Sequence, residues 1–415
     1  MLIWVKTMII RRAGQRVIGF FRTKYILSQI LFLIFVFLKP FYRNVSGSAQ
    51  ISDFVLILSF ALLIVSAKGK LEIETEDRYL YGFLLCTIAI NSICAMIYRD
   101  SSFVLSSMYY FYNAVVVFVL CKLKNNRRFL GALCGVLVIN LILQVLVLFS
   151  GRGRYYYDVR FMGTFNDPNQ FSFFVFSSFL LISILLLHLN GWNPILLRIG
   201  HIIVFLISMY LILKGSSTGM LLGIGTYVFS VILQSLYKVN TPFSVLIKAI
   251  CIIILIIVFV YALMLEAGVN LQESYDDSEL YIVDRLLAKF NRIDSGGVSA
   301  ILEERAIDKA IDNAEYLFLG AGEGSYFRFG SGNEIHSTFI GILFYYGIFP
   351  FMLLLMWIKN KLQNLDMAYI PICLALLVES FTLANQRQPF FWMIIILCSL
   401  SVNKKDTGTK LLVRL

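Results

Sequence analysis

Three arginines, Arg152, Arg154 and Arg160, stand close together in a polar segment between two long apolar runs. A guanidinium group stays charged at any working pH, and its planar fork matches the oxygens of a phosphate group. Ion pairs with Asp158, with Asp167 or with an acidic loop further along the chain are the alternative for each arginine taken singly. For the cluster as a whole we favour an anion site.

One histidine and one acid stand in unusual surroundings. His336 follows a long polar segment and directly precedes an apolar run, where an imidazole is suited to act as a general base. Glu379 lies inside an apolar run, and acids inside membrane spans are functional suspects. A structural role stays open for both residues. For Glu379 that role is an ion pair with Arg387, just beyond the run.

Motifs for other chemistries are weak or absent. The Gly-Ala-Gly-Glu-Gly sequence of residues 320–324 has no strand–helix unit around it, so it predicts a tight turn instead of a dinucleotide site. Gly219, Gly223 and Gly225 predict close helix packing. The sequence has no Walker A, HExxH or GxSxG motif, and its seven cysteines form no CxxC pair. We therefore expect neither a metal site nor a cofactor.

Composition places these residues in a membrane protein. The 415-residue chain is 59% hydrophobic and 15% charged, against about 45–50% and about 25% in soluble domains. Its apolar runs of roughly 17–23 residues match helices that cross about 30 Å of hydrocarbon. Open sheets cannot cross lipid, and continuous runs argue against a barrel. Basic residues that flank spans explain the net charge of +11 better than nucleic-acid binding does.

The sequence therefore predicts an all-α polytopic membrane protein with about twelve transmembrane helices. The predicted spans are 24–41, 51–67, 79–97, 102–121, 129–150, 170–189, 195–213, 217–237, 243–265, 336–357, 367–384 and 388–402.

Lysine and arginine positions give the predicted orientation. With a cytoplasmic N-terminus, the cytoplasmic segments hold 22 of the 36 basic residues and the short outer segments hold 8. Residues 1–265 then form helices 1–9, residues 266–335 form one large extracytoplasmic loop, and residues 336–415 form helices 10–12 with a cytoplasmic tail. The first span is expected to stay uncleaved, and the basic segment before it is expected to lie on the membrane surface.

The large loop carries fourteen acidic and six basic residues. Apolar residues recur within it at helical spacing, and this spacing predicts an amphipathic helix at about 299–316, packed on the bundle or the membrane interface.

Several short motifs in collinear order resemble the bacterial O-antigen polymerase (Wzy) and O-antigen ligase family. An outer arginine precedes a Gly-Thr-Phe…Pro-Asn stretch that opens a span, here from Arg160 to Asn169. There follow Arg305 on the long loop, a Leu-Gly-x-Gly-x-Gly turn at 319–324, and His336 with a small polar residue after it. The resemblance covers roughly residues 150–360.

The resemblance implies a GT-C-like bundle in the bacterial cytoplasmic (inner) membrane, with both termini in the cytoplasm. The donor would be an undecaprenyl-pyrophosphate-linked oligosaccharide. A polymerase would transfer its glycan to a lipid-linked acceptor repeat unit, with inversion and without a metal, whereas a ligase would transfer it to lipid A core. A lipid-linked glycan flippase or transporter is the alternative from another class, although no internal repeat supports it. Membrane lipid and a chain-length regulator protein are the further expected partners.

The resemblance also implies roles for single residues. His336 or Glu379 would act as the base, and the motif favours His336. The chain departs from the family at 215–219, where Ser217 stands in place of an arginine, so Lys214 is expected to supply the charge. The implied pyrophosphate-binding residues are Arg160, Arg305 and Arg154. The implied substrate-positioning residues are Asn169 and Lys214.

Overall fold

The computed structural model describes residues 25–44, 49–157, 159–189, 194–215, 217–237, 302–303, 305–330, 332–363, 365–401 and 410–414. These residues are mainly helical. The helices are α1 Ile26–Leu38, α2 Ile51–Ser66, α3 Arg78–Tyr98, α4 Ser102–Leu123, α5 Arg127–Phe149, α6 Pro168–His188, α7 Pro194–Gly215, α8 Thr218–Tyr237, α9 Asp308–Asp312, α10 Tyr316–Leu319, α11 Thr338–Tyr346, α12 Ile348–Leu362, α13 Ile370–Ser380 and α14 Pro389–Cys398.

Two antiparallel pairs of short strands complete the described chain. β1 (Lys70–Glu74) pairs with β4 (Lys410–Arg414), and Lys70 lies opposite Arg414. β2 (Arg154–Tyr156) pairs with β3 (Arg160–Gly163) directly before α6. The 410–414 segment therefore lies at the same end of the bundle as the turn that precedes α3.

Five of the described helices, α3 to α7, are long and apolar enough to cross a membrane, judged by length and composition. This fits an all-α membrane protein, as the sequence predicted. Other apolar helices are shorter, and α1 has thirteen residues. The predicted span 243–265 lies outside the described residues. The predicted total of twelve therefore stays a prediction.

The predicted span 336–357 is not one helix. It divides into α11 and α12 at Gly347, which has a φ of +79°. A Cβ atom at Gly347 would lie 2.4 Å from the carbonyl oxygen of Phe318, so the backbone of α10 passes directly against this position. A left-handed φ and this close approach both require glycine, and together they end α11.

The predicted amphipathic helix at 299–316 is wrong as a continuous element. Ala306 has a φ of +52°, and the following helix α9 covers Asp308–Asp312 alone. Ala310 is buried as the pattern suggested, whereas Ile311 is 59% exposed. Residues 299–301 and 304 lie outside the described residues. Helical spacing in a polar loop was therefore insufficient to specify a helix, because backbone turns compete with it.

The centre of the bundle is formed by α6 and α14. Residues 171–185 of α6 are all buried, and so is every residue of α14. Helices α5, α7 and α8 pack around α6, while α4 and α12 pack against α14. A helix that is apolar on all sides is expected to be enclosed by others.

One end of the bundle holds a compact, partly exposed group of charges, the Lys361 cluster, formed by Lys361, Glu74, Glu76, Asp77 and Lys124. The Lys361 ammonium is 1% exposed and lies 2.6 Å from Glu74 Oε2, 2.9 Å from Asp77 Oδ1 and 3.7 Å from Glu76 Oε2. Lys124 Nζ lies 3.5 Å from Glu74 Oε1. Burial alone would raise the pKa of the Glu74 carboxyl, but Lys124 and Lys361 outweigh it and lower that pKa to about 2.

Among the described residues, Glu74, Asp77 and Cys121 offer ligand atoms within 4.8 Å of one another, a spacing that suits a metal ion. The Lys361 ammonium already contacts both carboxylates. It therefore supplies the positive charge that a cation would otherwise bring.

Three helices connect the Lys361 cluster to the opposite end of the bundle. α3 begins beside the cluster, α4 ends beside Lys124, and α12 ends beside Lys361. The other ends of these helices, at Tyr98, Ser102 and Ile348, therefore share the opposite end, which we call the site end.

Candidate functional site

The turn between α13 and α14, residues 380–388, organises the site end. α13 closes with the backbone N–H and the hydroxyl of Thr382 both donating to the carbonyl oxygen of Glu379, at 2.7 Å each. Pro389 then occupies the first turn of α14, where its missing N–H costs no hydrogen bond. The chain thus reverses direction within a few residues, and the turn presents its polar groups together.

The start of α11 is fastened to this turn. Ser337 caps the helix by accepting from Ile340 N–H at 3.4 Å. The Thr338 hydroxyl donates to the carbonyl oxygen of Leu383 at 2.9 Å and accepts from the Asn385 N–H at 2.9 Å. His336, two residues before Thr338, is therefore held next to the turn that follows Glu379.

Arg305 joins His336 to the same turn. The carbonyl oxygen of Arg305 accepts from the His336 N–H at 2.9 Å, and the Arg305 guanidinium donates to the carbonyl oxygen of Thr382. Both side chains are half-buried. The structure thus brings Arg305 and His336 to the turn that follows Glu379, although 74 positions separate Arg305 from Glu379. We call these three residues the site group.

Glu379 is fully buried, and its two carboxylate oxygens differ. Oε1 accepts from the side-chain amide of Asn385, whereas Oε2 has no hydrogen-bond partner among the described residues. The alternative role, an ion pair with Arg387, is not what the structure shows, because Arg387 pairs with Glu323 and Glu334. A buried acceptor without a partner is costly in a finished fold, so this oxygen marks a position that a ligand group would satisfy.

Arg387 pairs with Glu323 and Glu334. Its guanidinium lies 2.7 Å from Glu323 Oε1 and 2.7 Å from Glu334 Oε2, and it also donates to the Tyr326 hydroxyl at 2.5 Å. Burial would lower the pKa of Arg387, but Glu323 and Glu334 outweigh it and raise that pKa well above its usual value. The ion pair fixes the turn after Glu379 to the 320–334 segment.

Glu323 is fully buried and was missed by the sequence reasoning. Tyr346 donates its hydroxyl to Glu323 Oε2 at 2.6 Å, and the Glu323 N–H donates to Asn91 at 2.9 Å. The predicted tight turn is confirmed, since Gly320 and Gly322 have φ values of +87° and +73°. An acid placed between glycines next to an apolar run was the available signal, because such glycines let the backbone approach other helices closely.

Arg160 lies in a second part of the site end. It is 6% exposed, its Nε donates to the carbonyl oxygen of Gly215 at 3.1 Å, and its Nη2 donates to Asn169 Oδ1 at 3.0 Å. Asn169 is set by the start of α6, where the Asp167 side chain caps the helix and Pro168 follows. Arg160 therefore links β3, α6 and the end of α7.

The remaining predicted residues lie around this point with looser contacts. Arg154 is exposed and donates to Asn166 Oδ1. Lys214 lies 5.8 Å from the ring centre of Tyr210, a cation–π distance. Ser217, at the departure from the family pattern, is buried, and its carbonyl oxygen accepts from the Leu221 N–H at 3.2 Å. The structure places Lys214 next to Gly215, whose carbonyl oxygen binds Arg160.

Close packing of α8 on α13 connects the two parts of the site end. A Cβ at Gly219 would lie 2.2 Å from Thr382 Oγ1, and one at Gly223 would lie 3.3 Å from the Glu379 Cβ. The predicted packing role is confirmed for these two glycines, while Gly225 faces open space. The chain from Gly215 to Gly219 thus runs from the carbonyl that binds Arg160 to the turn that binds Arg305.

No protein-family model matches the chain, and no curated protein matches it significantly. The short motifs and the arrangement of the site end are therefore what points to a function.

Proposed function

We propose that the chain is an inverting glycosyltransferase that polymerises polysaccharide repeat units (O-antigen, capsule or exopolysaccharide) from an undecaprenyl-pyrophosphate-linked donor. The observation that carries the proposal is the meeting of Arg305, His336 and Glu379 around one turn, with a buried carboxylate oxygen left to accept a hydrogen bond. The motif residues lie far apart in sequence, so their meeting supports a shared task.

The proposed reaction needs a base and an anion site. The acceptor hydroxyl oxygen bonds to the anomeric carbon while the bond from that carbon to the pyrophosphate oxygen breaks. His336 takes the hydroxyl proton, and Glu379 Oε2 accepts a hydrogen bond from the acceptor sugar. Undecaprenyl pyrophosphate then leaves, and attack opposite to it inverts the anomeric carbon. A positioned base of this kind contributes about 10²–10⁴-fold to the rate.

Negative charge develops on the pyrophosphate as the sugar departs. Arg305 and Arg160 are the proposed donors to this charge, and Arg154 lies further out as an exposed third donor. Fixed donors of this type stabilise a transition state without reorganisation. Asn169 holds one guanidinium nitrogen of Arg160 at 3.0 Å, and this contact supports its role as a positioning residue. Lys214 is proposed to add charge at the end of α7.

The proposed setting is the bacterial inner membrane, with twelve spans in a GT-C-like bundle and both termini in the cytoplasm. The site end would then face the outer side, where lipid-linked repeat units are presented. Cysteine accessibility at Arg43→Cys and Lys359→Cys tests this directly. An impermeant thiol reagent should label position 43 in intact cells and should label position 359 only after the membrane is permeabilised. The reverse result would overturn the orientation.

The experiment that tests the function is deletion of the gene followed by complementation with variants. His336→Ala and Arg160→Ala should abolish long glycan without lowering membrane abundance. His188→Ala and Arg43→Ala are the matched controls and should restore it, because His188 lies at the opposite end of α6 and Arg43 is exposed. Full-length glycan with both site variants would contradict the proposal.

The same deletion separates the related candidates. In cells that assemble lipopolysaccharide, core with a single repeat unit identifies a polymerase. Bare core with long glycan retained on the undecaprenyl carrier identifies a ligase. Repeat units trapped on the cytoplasmic side identify a flippase, and an unchanged profile of every surface glycan removes all three.

A further inference from the structure

Three large apolar side chains are strongly exposed at the site end, outside the longer helices. Phe318 and Leu319, at the end of α10, are 77% and 81% exposed, and Phe327 is 84% exposed. Phe327 belongs to the short 3-10 helix Tyr326–Phe329. We call these three residues, two of which are aromatic, the aromatic edge. Large apolar groups held in water are unfavourable, and a contiguous set of them marks an interaction surface.

The backbone that carries the aromatic edge is fixed in place. Arg328 donates to the carbonyl oxygens of Ala321 and Gly322 at 2.5 and 3.1 Å, and its guanidinium lies 4.5 Å from the ring centre of Tyr98. Phe329 packs inward against Phe344 at a ring distance of 5.1 Å. Phe327 therefore points outward from an anchored segment.

The aromatic edge is continuous with exposed apolar surface on two helices. On one side, Gly347 packs against the Phe318 carbonyl, and the exposed residues of α12 follow directly: Ile348, Phe349, Met352 and Met356. On the other side, Arg328 ties the segment to the end of α3, where Met96 and Ile97 are 78% and 66% exposed. α3 is one of the five helices long and apolar enough to cross a membrane. We therefore expect lipid to cover its outer face.

We propose that the aromatic edge inserts into the interfacial layer of the bilayer, at the boundary between headgroups and acyl chains. Aromatic side chains concentrate at this depth because an apolar body meets lipid while the adjoining backbone stays hydrated. The carbonyls and the arginine behind the edge provide that polar side. This surface is independent of the glycosyl-transfer proposal.

Insertion has a consequence for the site end. Arg328 binds the carbonyls of Ala321 and Gly322, which directly precede Glu323. Glu323 in turn binds Arg387, in the turn that follows Glu379. The depth of the aromatic edge in the lipid therefore sets the height of that turn relative to the membrane surface.

The test is photo-crosslinking in lipid. The full chain carries p-benzoylphenylalanine in place of Phe318 or Phe327 and is reconstituted in vesicles of phosphatidylethanolamine and phosphatidylglycerol. Phe329 and Asn333 are the matched control positions, because Phe329 packs inward and Asn333 is exposed in a polar stretch. After irradiation, positions 318 and 327 should give at least about tenfold more lipid adduct than position 333, because acyl chains surround interfacial apolar groups. Position 329 should crosslink within the chain.

Adducts at 318 and 327 that join another part of this chain or a second copy would overturn the proposal. Lipid adduct no greater than at Asn333 would also overturn it. If a benzoylphenylalanine variant fails to fold, Phe327→Trp provides a second measurement. Brominated lipid should then quench more tryptophan fluorescence than in the unsubstituted protein, and equal quenching would contradict insertion.

Discussion

The two ends of the bundle treat buried charge differently. In the Lys361 cluster, one ammonium contacts three carboxylates, and Trp357 adds a hydrogen bond to Asp77 at 2.9 Å. At the site end, Glu379 is equally buried but leaves Oε2 without a partner among the described residues. The same three helices, α3, α4 and α12, run between the two ends.

We interpret this difference as a separation between charged groups that hold the fold and a buried polar group that is available to a ligand. Burying an ion is costly unless opposite charge and hydrogen bonds surround it. The Lys361 cluster meets that condition internally, and so does the Arg387 pair with Glu323 and Glu334. The Glu379 carboxylate does not, so we expect its substitution to change activity more than stability.

The largest expected effect is on the Lys361 cluster. Lys361→Met should destabilise the protein by about 3–5 kcal/mol, because it leaves carboxylates without their buried partner. The measurements are the unfolding midpoint in detergent and the abundance in membranes. Lys359→Met is the matched control, since Lys359 is exposed on the same helix and its substitution should change stability by no more than about 0.5 kcal/mol. Equal midpoints for the two variants would mean that the cluster does not hold the fold.

Glu379→Gln should change activity more than stability, the opposite of Lys361→Met. The amide keeps the size of the side chain and removes a buried acid, so the unfolding midpoint should stay close to that of the unsubstituted protein. Loss of the hydrogen bond between Oε2 and the acceptor sugar should slow polymerisation by about tenfold. The rate of glycan extension in membranes and the midpoint in detergent are measured on the same preparation. A large fall in midpoint with normal extension would place Glu379 among the structural charges.

Arg160→Lys tests whether the geometry of a guanidinium is needed at the second part of the site end. The lysine keeps the charge but lacks the planar fork whose nitrogens donate to Gly215 and Asn169 in fixed directions and leave a further donor for a phosphate oxygen. Extension should slow by about tenfold, which corresponds to one lost charged hydrogen bond. Arg43→Lys is the control at an exposed position. Normal extension with Arg160→Lys would mean that position 160 needs only a positive charge and not the geometry of a guanidinium.

Sequence reasoning located helices well and pairings poorly. The predicted span 102–121 begins at the first residue of α4, because an apolar run of membrane length has few other solutions. The division at Gly347 was missed, since its cause is the backbone of Phe318, a contact between separate segments. Hydrophobic patterns within one segment do not predict contacts between separate segments.

The site shows the same limit. His336, Arg305 and Glu379 were picked from residue type and motif, and the structure brings them together. Glu323 was missed, and the partner considered for Arg387 was Glu379, because the observed pairing of Arg387 with Glu323 joins positions 64 residues apart. In the sequence alone, each residue of a buried ion pair between distant segments cannot be distinguished from an exposed charge in a loop.

The smallest expected effect is the acid response of the Lys361 cluster, carried by Glu74. Its pKa is lowered to about 2 in the folded state, below its ordinary unfolded value of about 4.3. The charged form therefore stabilises the fold fully above about pH 4.3, and this contribution is lost as pH falls toward 2. The Glu74 side chain is 38% exposed, so screening by solvent limits the contribution to about 1 kcal/mol.

Glu74→Gln should lower the unfolding midpoint at pH 7 and flatten the decline of the midpoint between pH 4.3 and 2. Glu303→Gln, at an exposed position in the loop, should leave that decline unchanged. If the midpoint of Glu74→Gln falls as steeply between pH 4.3 and 2 as that of the unsubstituted protein, Glu74 does not carry the acid response. The other carboxylates of the cluster, Asp77 and Glu76, would then carry it.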